Sequence, residues 1–135
     1  MPIEFTWIVP DKILLSRWWD HVSEDDMRVL VEELGLILDS AEQLIHTVAD
    51  MSDIKSMDDD AVYYYFRSRI PTHPRRGRVA MVNPPFQSAV LTDMFNRVSE
   101  REMFRQFGTR DAARAYLLSH DTPPPALRPG DELSA

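Results

Sequence analysis

The stretch Leu44-Ile45-His46-Thr47-Val48-Ala49-Asp50-Met51-Ser52-Asp53-Ile54-Lys55-Ser56-Met57-Asp58-Asp59-Asp60-Ala61-Val62 constrains the fold of this chain more than any other. Residues 44–49 have the length and apolar character of a buried strand. Asp50 then opens a polar loop, and the aspartates from Asp58 onward mark the N-terminus of a helix, where negative charge complements the dipole. In an open α/β sheet, helix N-termini converge at the carboxyl ends of parallel strands, and ligands and partners are met there. Function is therefore expected between Asp50 and Asp60.

The flanking segments supply the rest of such a sheet. Ile3, Phe5, Trp7 and Val9 alternate with Glu4, Thr6 and Ile8, the period of a strand. Pro10-Asp11 supplies a turn, and a second strand over residues 12–18 pairs antiparallel with the first. Ser23 with Asp26 reads as a capping box, after which Met27, Leu30, Val31, Leu34, Ile37, Leu38 and Ala41 recur at helical spacing to near Glu42. Gly35 inside this helix suggests a close approach of helix to sheet. A second helix over residues 57–69 ends near Ile70, because Pro71 and Pro74 forbid its continuation. Residues 78–82 form a buried parallel strand, Asn83 caps the next helix, and Pro84 takes its first position. Phe86, Ala89, Val90, Met94 and Val98 mark that helix's apolar face. A last strand over residues 103–107 precedes a helix capped by Thr109, with Ala112, Ala113, Tyr116 and Leu117 facing the core. The predicted order is β-β-α-β-α-β-α-β-α, an α/β fold with a mixed, mainly parallel sheet and flanking helices.

A chain of 135 residues makes one domain, placed at residues 1–120, and the breaker-rich residues 121–135 read as a Pro-rich disordered tail. The absence of cysteine excludes disulfides, thiolate zinc sites and cysteine nucleophiles. Neither a signal segment nor a membrane-length apolar run is visible, so a cytoplasmic protein is expected. A formal charge of -7 disfavours general binding to nucleic acid or anionic lipid and favours protein partners or small molecules.

The element order and the Asp50 segment together resemble the STAS family, the anti-sigma factor antagonists and related domains. Their signature after the third strand runs roughly Asp-Leu-Ser, an aliphatic residue, then Asp-Ser-Ser-Gly at the next helix. Here Asp50, Ser52, Ile54, Met57 and Asp58 keep the residue types of that pattern, and 107–117 look like the end of such a domain. The resemblance implies a partner-docking domain. The serine that is phosphorylated in the antagonists is matched by Asp59, which a serine kinase cannot modify and which carries less charge than phosphoserine. A fixed docking surface is therefore expected in place of a switch. Some members of the branch without the switch are associated with apolar ligands, which supplies the alternative, a carrier or sensor of a small lipid-like molecule.

The expected partner-binding residues are Asp50, Ser52, Asp53, Asp58, Asp59, Asp60 and Tyr63. The bland reading of the three consecutive aspartates is that they complement the helix dipole. A cation site is disfavoured because calcium-loop spacing and its glycine are missing, so neither metal nor cofactor is expected. Trp7, Trp18 and Trp19 form a candidate apolar ligand wall or self-association edge, with a homodimer as one outcome. Tyr63, Tyr64 and Tyr65 cannot all face the core, so one hydroxyl should reach the surface. Arg67, Arg69, Arg75, Arg76 and Arg78, with His73, read as a solvated run. His21, His46, His73 and His120 have no ligand spacing, and His46 reads as a buried structural histidine. With no nucleophile elbow or glycine-rich loop, no catalytic residue is assigned. An enzyme would require a deep pocket bringing Asp50 or Asp58 near His21 or His46.

Overall fold

Strands β1 (Ile3–Val9) and β2 (Ile13–Val22) form the expected antiparallel hairpin, turning through Asp11 at a φ of 60°. They open a computed structural model that describes residues 2–124. Helix α1 (Glu24–Asp39), strand β3 (Ile45–Met57), helix α2 (Asp59–Arg67), strand β4 (Arg76–Val82), helix α3 (Phe86–Ser99), strand β5 (Phe104–Phe107) and helix α4 (Arg110–Ser119) follow. The element order is the one the sequence predicts. Strand order in the sheet equals chain order, with every pairing after the hairpin parallel.

Because each crossover joins neighbouring strands in the same sense, α1, α2 and α3 gather on one face. There Met27, Leu30 and Leu34 of α1 and Val62 of α2 pack with Trp18, Ala49 and Met81 of the sheet. The other face carries a smaller core, in which Ala113, Tyr116 and Leu117 of α4 cover Ile13, Val48, Ala80 and Val82. Both faces of the central strands are thus shielded, as a parallel sheet requires.

Local capping follows the sequence at two helices. Ser23 Oγ accepts from Asp26 N at 3.1 Å and Asp26 Oδ2 accepts from Ser23 N at 2.9 Å, and Thr109 Oγ1 accepts from Ala112 N at 3.1 Å. Elsewhere the boundaries move. α1 stops at Asp39, short of Glu42, and α2 runs from Asp59 to Arg67, inside the expected 57–70. Asn83 does not cap α3, because its left-handed φ of 49° turns the chain, and the helix begins after Pro85. Gly35 faces no strand. A Cβ there would lie 2.5 Å from Arg69 Nη2, so the glycine makes way for an arginine crossing α1 to reach Asp39 at 2.7 and 2.8 Å.

The largest departure concerns β2 and β3. The expected loop from Asp50 is strand as far as Met57, because β2 continues beyond residue 18 to Val22 and pairs with it: Trp19 opposite Asp53, His21 opposite Ser56, Val22 opposite Met57. β4 ends at Val82, opposite Asp50, so the extension projects past the covered sheet and its side chains are polar for that reason. The tail expected from residue 121 begins with fixed residues. Asp121 is bonded to His46 and Lys12, Thr122 to Arg78, and Pro124 is buried; 125–135 lie outside the described residues.

Candidate functional site

The expected docking residues divide between two sides of the projecting tip. Asp50 is buried and turned toward α4, where its Oδ2 accepts from Arg110 Nε and its Oδ1 from Ser52 N at 3.1 Å. Burial pushes its carboxyl up, but those bonds outweigh it and hold it below the usual carboxylate range. Asp50 therefore shapes the tip from inside. Ser52 is exposed and accepts from Asn83 Nδ2 at 3.0 Å, and exposed Asp53 lies 3.4 Å from Arg17 Nη2. On the other side, Asp59 and Asp60 stand exposed in the first turn of α2 with Tyr63 beside them, its side chain at the surface as expected. Asp58 ties this side together: its Oδ1 lies 3.0 Å from His21 Nε2, and its Oδ2 accepts from Glu24 N at 3.2 Å.

His21 also meets Ser56, with Nδ1 2.6 Å from the hydroxyl. Ser56, His21 and Asp58 thus form a hydroxyl–imidazole–carboxylate chain, the convergence of Asp58 and His21 that an enzyme would require. It lies on the open surface, with His21 and Ser56 both exposed, and not in a deep pocket. The chain links β2, β3 and the start of α2, and through Glu24 the start of α1.

The three tryptophans are not together. Trp7 lies beside Ile37 and Ala41, Trp19 is half-buried under the Arg17 guanidinium at 4.9 Å, and Trp18 is buried with Nε1 donating to Ser16 Oγ at 2.9 Å. Trp18 alone of the three faces an apolar cavity of ≈ 50 Å³ between the sheet and helices α1–α3. Leu30, Leu34, Met51, Met57 and Met81 line its walls. Phe66, Phe95 and Phe104 pack beside it edge to face and tilted, with centroids 5.4 to 5.7 Å apart.

The basic run is only partly solvated. Arg67 and Arg75 are exposed, Arg69 and His73 hold Asp39, whose carboxyl they lower to about 2, and Arg76 and Arg78 are buried on β4. Arg78 is satisfied by the Tyr116 hydroxyl at 2.9 Å and by Thr122 Oγ1 at 2.7 Å. Arg76 reaches Thr47 Oγ1 and the Tyr65 hydroxyl. A charge run in sequence carries no signal of which members point inward. His46 is buried as expected: its Nδ1 accepts from Arg78 N at 2.9 Å, so Nε2 carries the proton toward Asp121 Oδ1 at 3.0 Å. Among the described residues no group of three or more His, Asp or Glu side chains is arranged to hold a metal ion.

α3 reverses the expected amphipathic pattern. Ser88, Thr92 and Asn96 face inward, and Phe86, Val90, Met94 and Val98 form an exposed apolar stripe. Asn96 explains the rotation, since its amide accepts from Met103 N at 3.0 Å and Phe104 N at 3.1 Å and donates to Phe104 O at 2.8 Å. These bonds fix the polar face of α3 to β5, while Leu91 and Phe95 supply its apolar packing. The stripe starts beside the tip, where Gln87 Nε2 donates to Met57 O at 3.2 Å.

Comparison with known proteins shows the fold. The chain is similar to a crystal structure of an uncharacterized protein of the DUF3478 family with a SpoIIAA-like fold from Shewanella loihica PV-4, with a TM-score of 0.63 and 16% identity over 85% of this chain and 91% of that one. It is also similar to the anti-sigma factor antagonist SpoIIAA in its unphosphorylated form, with a TM-score of 0.56 and 10% identity over 87% of this chain and 99% of that one. No family model and no curated protein sequence matches. The STAS-like, SpoIIAA-like fold is thereby established.

Proposed function

We propose that this chain is a non-enzymatic regulatory domain of the SpoIIAA-like fold that docks a protein partner at the tip formed by the ends of β2 and β3 and the start of α2. The observation that carries this reading is the exposure of acidic and apolar side chains at the start of α2 and along α3 beside the projecting tip. Asp59, Asp60 and Tyr63 are exposed at the start of α2, the exposed α3 stripe begins at Phe86 next to Gln87, whose side chain bonds the Met57 carbonyl at the end of β3, and exposed apolar patches rimmed by charge mark interaction sites. A partner of matching chemistry presents basic side chains around an apolar centre, which the chain's net charge of -7 would also attract. Asp59 occupies the position of the switch serine in the resembling family, so docking here is constitutive. The test is quantitative cross-linking in native extract with the wild type, Asp59→Arg and Phe86→Asp. Partners lost in both variants support the reading, and the same partners captured by all three refute it.

A second reading, a carrier or sensor of a small apolar molecule, is favoured by the cavity lined by Trp18 and the methionines. Native mass spectrometry for a co-purifying molecule, together with tryptophan fluorescence across a lipid panel, tests it. The absence of both signals counts against it.

A further inference from the structure

Helix α3 turns its apolar side to water. Val90 is 39 % exposed, Met94 53 % and Val98 84 %, while Ser88, Thr92 and Asn96 on the opposite side are buried. The other helices expose one or two large apolar residues each, Val29 and Leu36 on α1, Tyr63 on α2 and Leu118 on α4, which is ordinary for a protein surface. On α3 they follow one another at every fourth residue and, with Phe86, form one continuous row. Rows of that spacing are the ridges by which helices pack, and the commonest packing lays one such ridge beside another at a crossing of about −50°. The complement of this face is therefore a helix that carries large apolar residues four apart.

The charges on α3 identify that helix. Asp93 and Arg97 are its charged residues, both exposed beside the row, so this face is neutral on a chain of net charge -7. Two copies that repel elsewhere can meet here without net repulsion. Asp93 and Arg97 also have the i,i+4 order that favours an ion pair, the order in which Glu24 and Arg28 close to 2.9 Å on α1. Among the described residues, however, neither Asp93 nor Arg97 is paired with an opposite charge. A second α3 laid antiparallel across the first with Met94 at the crossing uses both features. Met94 then meets the second copy's Met94, Val90 meets its Val98, and Asp93 comes less than a turn from its Arg97, each contact being made twice about the two-fold axis. Phe86, about 12 Å from Met94 along the helix, stays outside this contact and beside the tip.

We propose that this chain forms a two-fold homodimer through α3, with Val90, Met94 and Val98 at its apolar centre and reciprocal Asp93–Arg97 pairs at its rim. A single helix pair buries less than the roughly 800 Å² per partner of a standard interface, so the dimer is weak and depends on concentration. The inference goes beyond the docking reading and leaves the start of α2 free for another protein.

The experiment is analytical ultracentrifugation of the full chain from about 5 to about 500 µM, with a dissociation constant inside that range expected for the wild type. Met94→Glu should raise the constant about tenfold or more, because it places two carboxylates at the crossing. Asp93→Arg and Arg97→Asp, each of which sets like charges together at two places, should each raise it about fivefold or more, and the double reversal should return it to within about twofold of wild type. That recovery is a readout that misfolding of a single variant cannot produce. Asp59→Arg should leave the dimer intact, so failure of the docking reading and failure of this one are separable. A wild type that stays monomeric throughout overturns the proposal, as does a dimer that survives Met94→Glu or charge reversals that do not compensate. Flotation of a monomeric wild type with phosphatidylcholine vesicles would overturn it by assigning the face to a bilayer.

Discussion

His46 Nε2 and Asp121 Oδ1 lie 3.0 Å apart, and through this contact the fully buried ring of β3 is bonded to the chain beyond α4. Asp121 also holds Lys12 at 2.5 Å, and Thr122 next to it caps the buried Arg78. Asp121→Ala should therefore lower stability by about 1–3 kcal/mol, because it strands a buried N–H and frees the end of the segment. Urea unfolding midpoints of wild type and variant check this. An unchanged midpoint would show that 121–124 contribute nothing to the fold.

Stability should fall steadily with acid. Burial, the larger effect, holds His46 below its ordinary 6.5 against the opposing pull of Asp121. The unfolded chain then takes up that proton first, so stability is full above about pH 6.5 and is lost as pH drops toward the folded value. Asp50 and Asp121 are held below their ordinary 3.8 and Asp39 at about 2, and their contributions are present above 3.8 and lost as pH falls through the folded values. Midpoints measured across this range should decline in two stages, and His46→Gln should abolish the first.

Two glycines with crowded surroundings should respond unequally to alanine. At Gly77 a Cβ would collide with the His46 imidazole, which is buried and bonded at both nitrogens, so Gly77→Ala should destabilise by about 2 kcal/mol or more. At Gly35 the obstacle is the end of the flexible Arg69 side chain, and alanine's helix propensity is better by about 1 kcal/mol. Gly35→Ala should thus stay within about 1 kcal/mol of wild type. Chemical denaturation of the pair tests both.

Ser56 should not behave as a nucleophile. Its hydroxyl meets His21, and His21 meets Asp58, but the group stands in solvent with no enclosed oxyanion site, and water-excluded donors are what make such a chain effective. Incubation with a fluorophosphonate probe is expected to leave Ser56 unmodified. Labelling lost in both Ser56→Ala and His21→Ala would refute the non-enzymatic reading.

Tip substitutions should separate binding from folding. Asp59→Arg and Phe86→Asp replace exposed side chains: Phe86→Asp should leave stability within about 0.5 kcal/mol of wild type, Asp59→Arg, which reverses the charge at the N-terminus of α2, should cost about 1–2 kcal/mol, and both should weaken partner capture. Thermal unfolding run beside the cross-linking assay distinguishes a lost surface from a lost fold.

What could be read from sequence follows what periodicity encodes. The hairpin, the Ser23–Asp26 capping box, the Thr109 cap and the element order are local signals and appear as expected, whereas the Asn83 cap does not. The far half of β3 is illegible because a strand pairing on one edge beyond the covered sheet keeps no apolar alternation, and residues 52–56, polar but for Ile54, look like a loop. α3 misled for a different reason. Its apolar residues recur at helical spacing, but the bonds of Asn96 to β5, which involve residues 103 and 104, turn that stripe outward. The inward course of Arg76 and Arg78 depends on strand register, Thr47, Tyr65 and Tyr116, none of which their neighbours reveal.

Because the strands lie in the sheet in the order in which the chain supplies them, each new strand finds its partner immediately before it, one crossover away. Each parallel pairing closes a single crossover, whose loop-closure entropy grows only slowly with its length. The sheet can grow outward from the β1–β2 hairpin during synthesis, with α4 and the Asp121 contact arriving last to seal the second face. Until then His46, Val48 and Ala80 remain open to water, so a nascent chain lacking its C-terminal quarter exposes the surface most prone to aggregation.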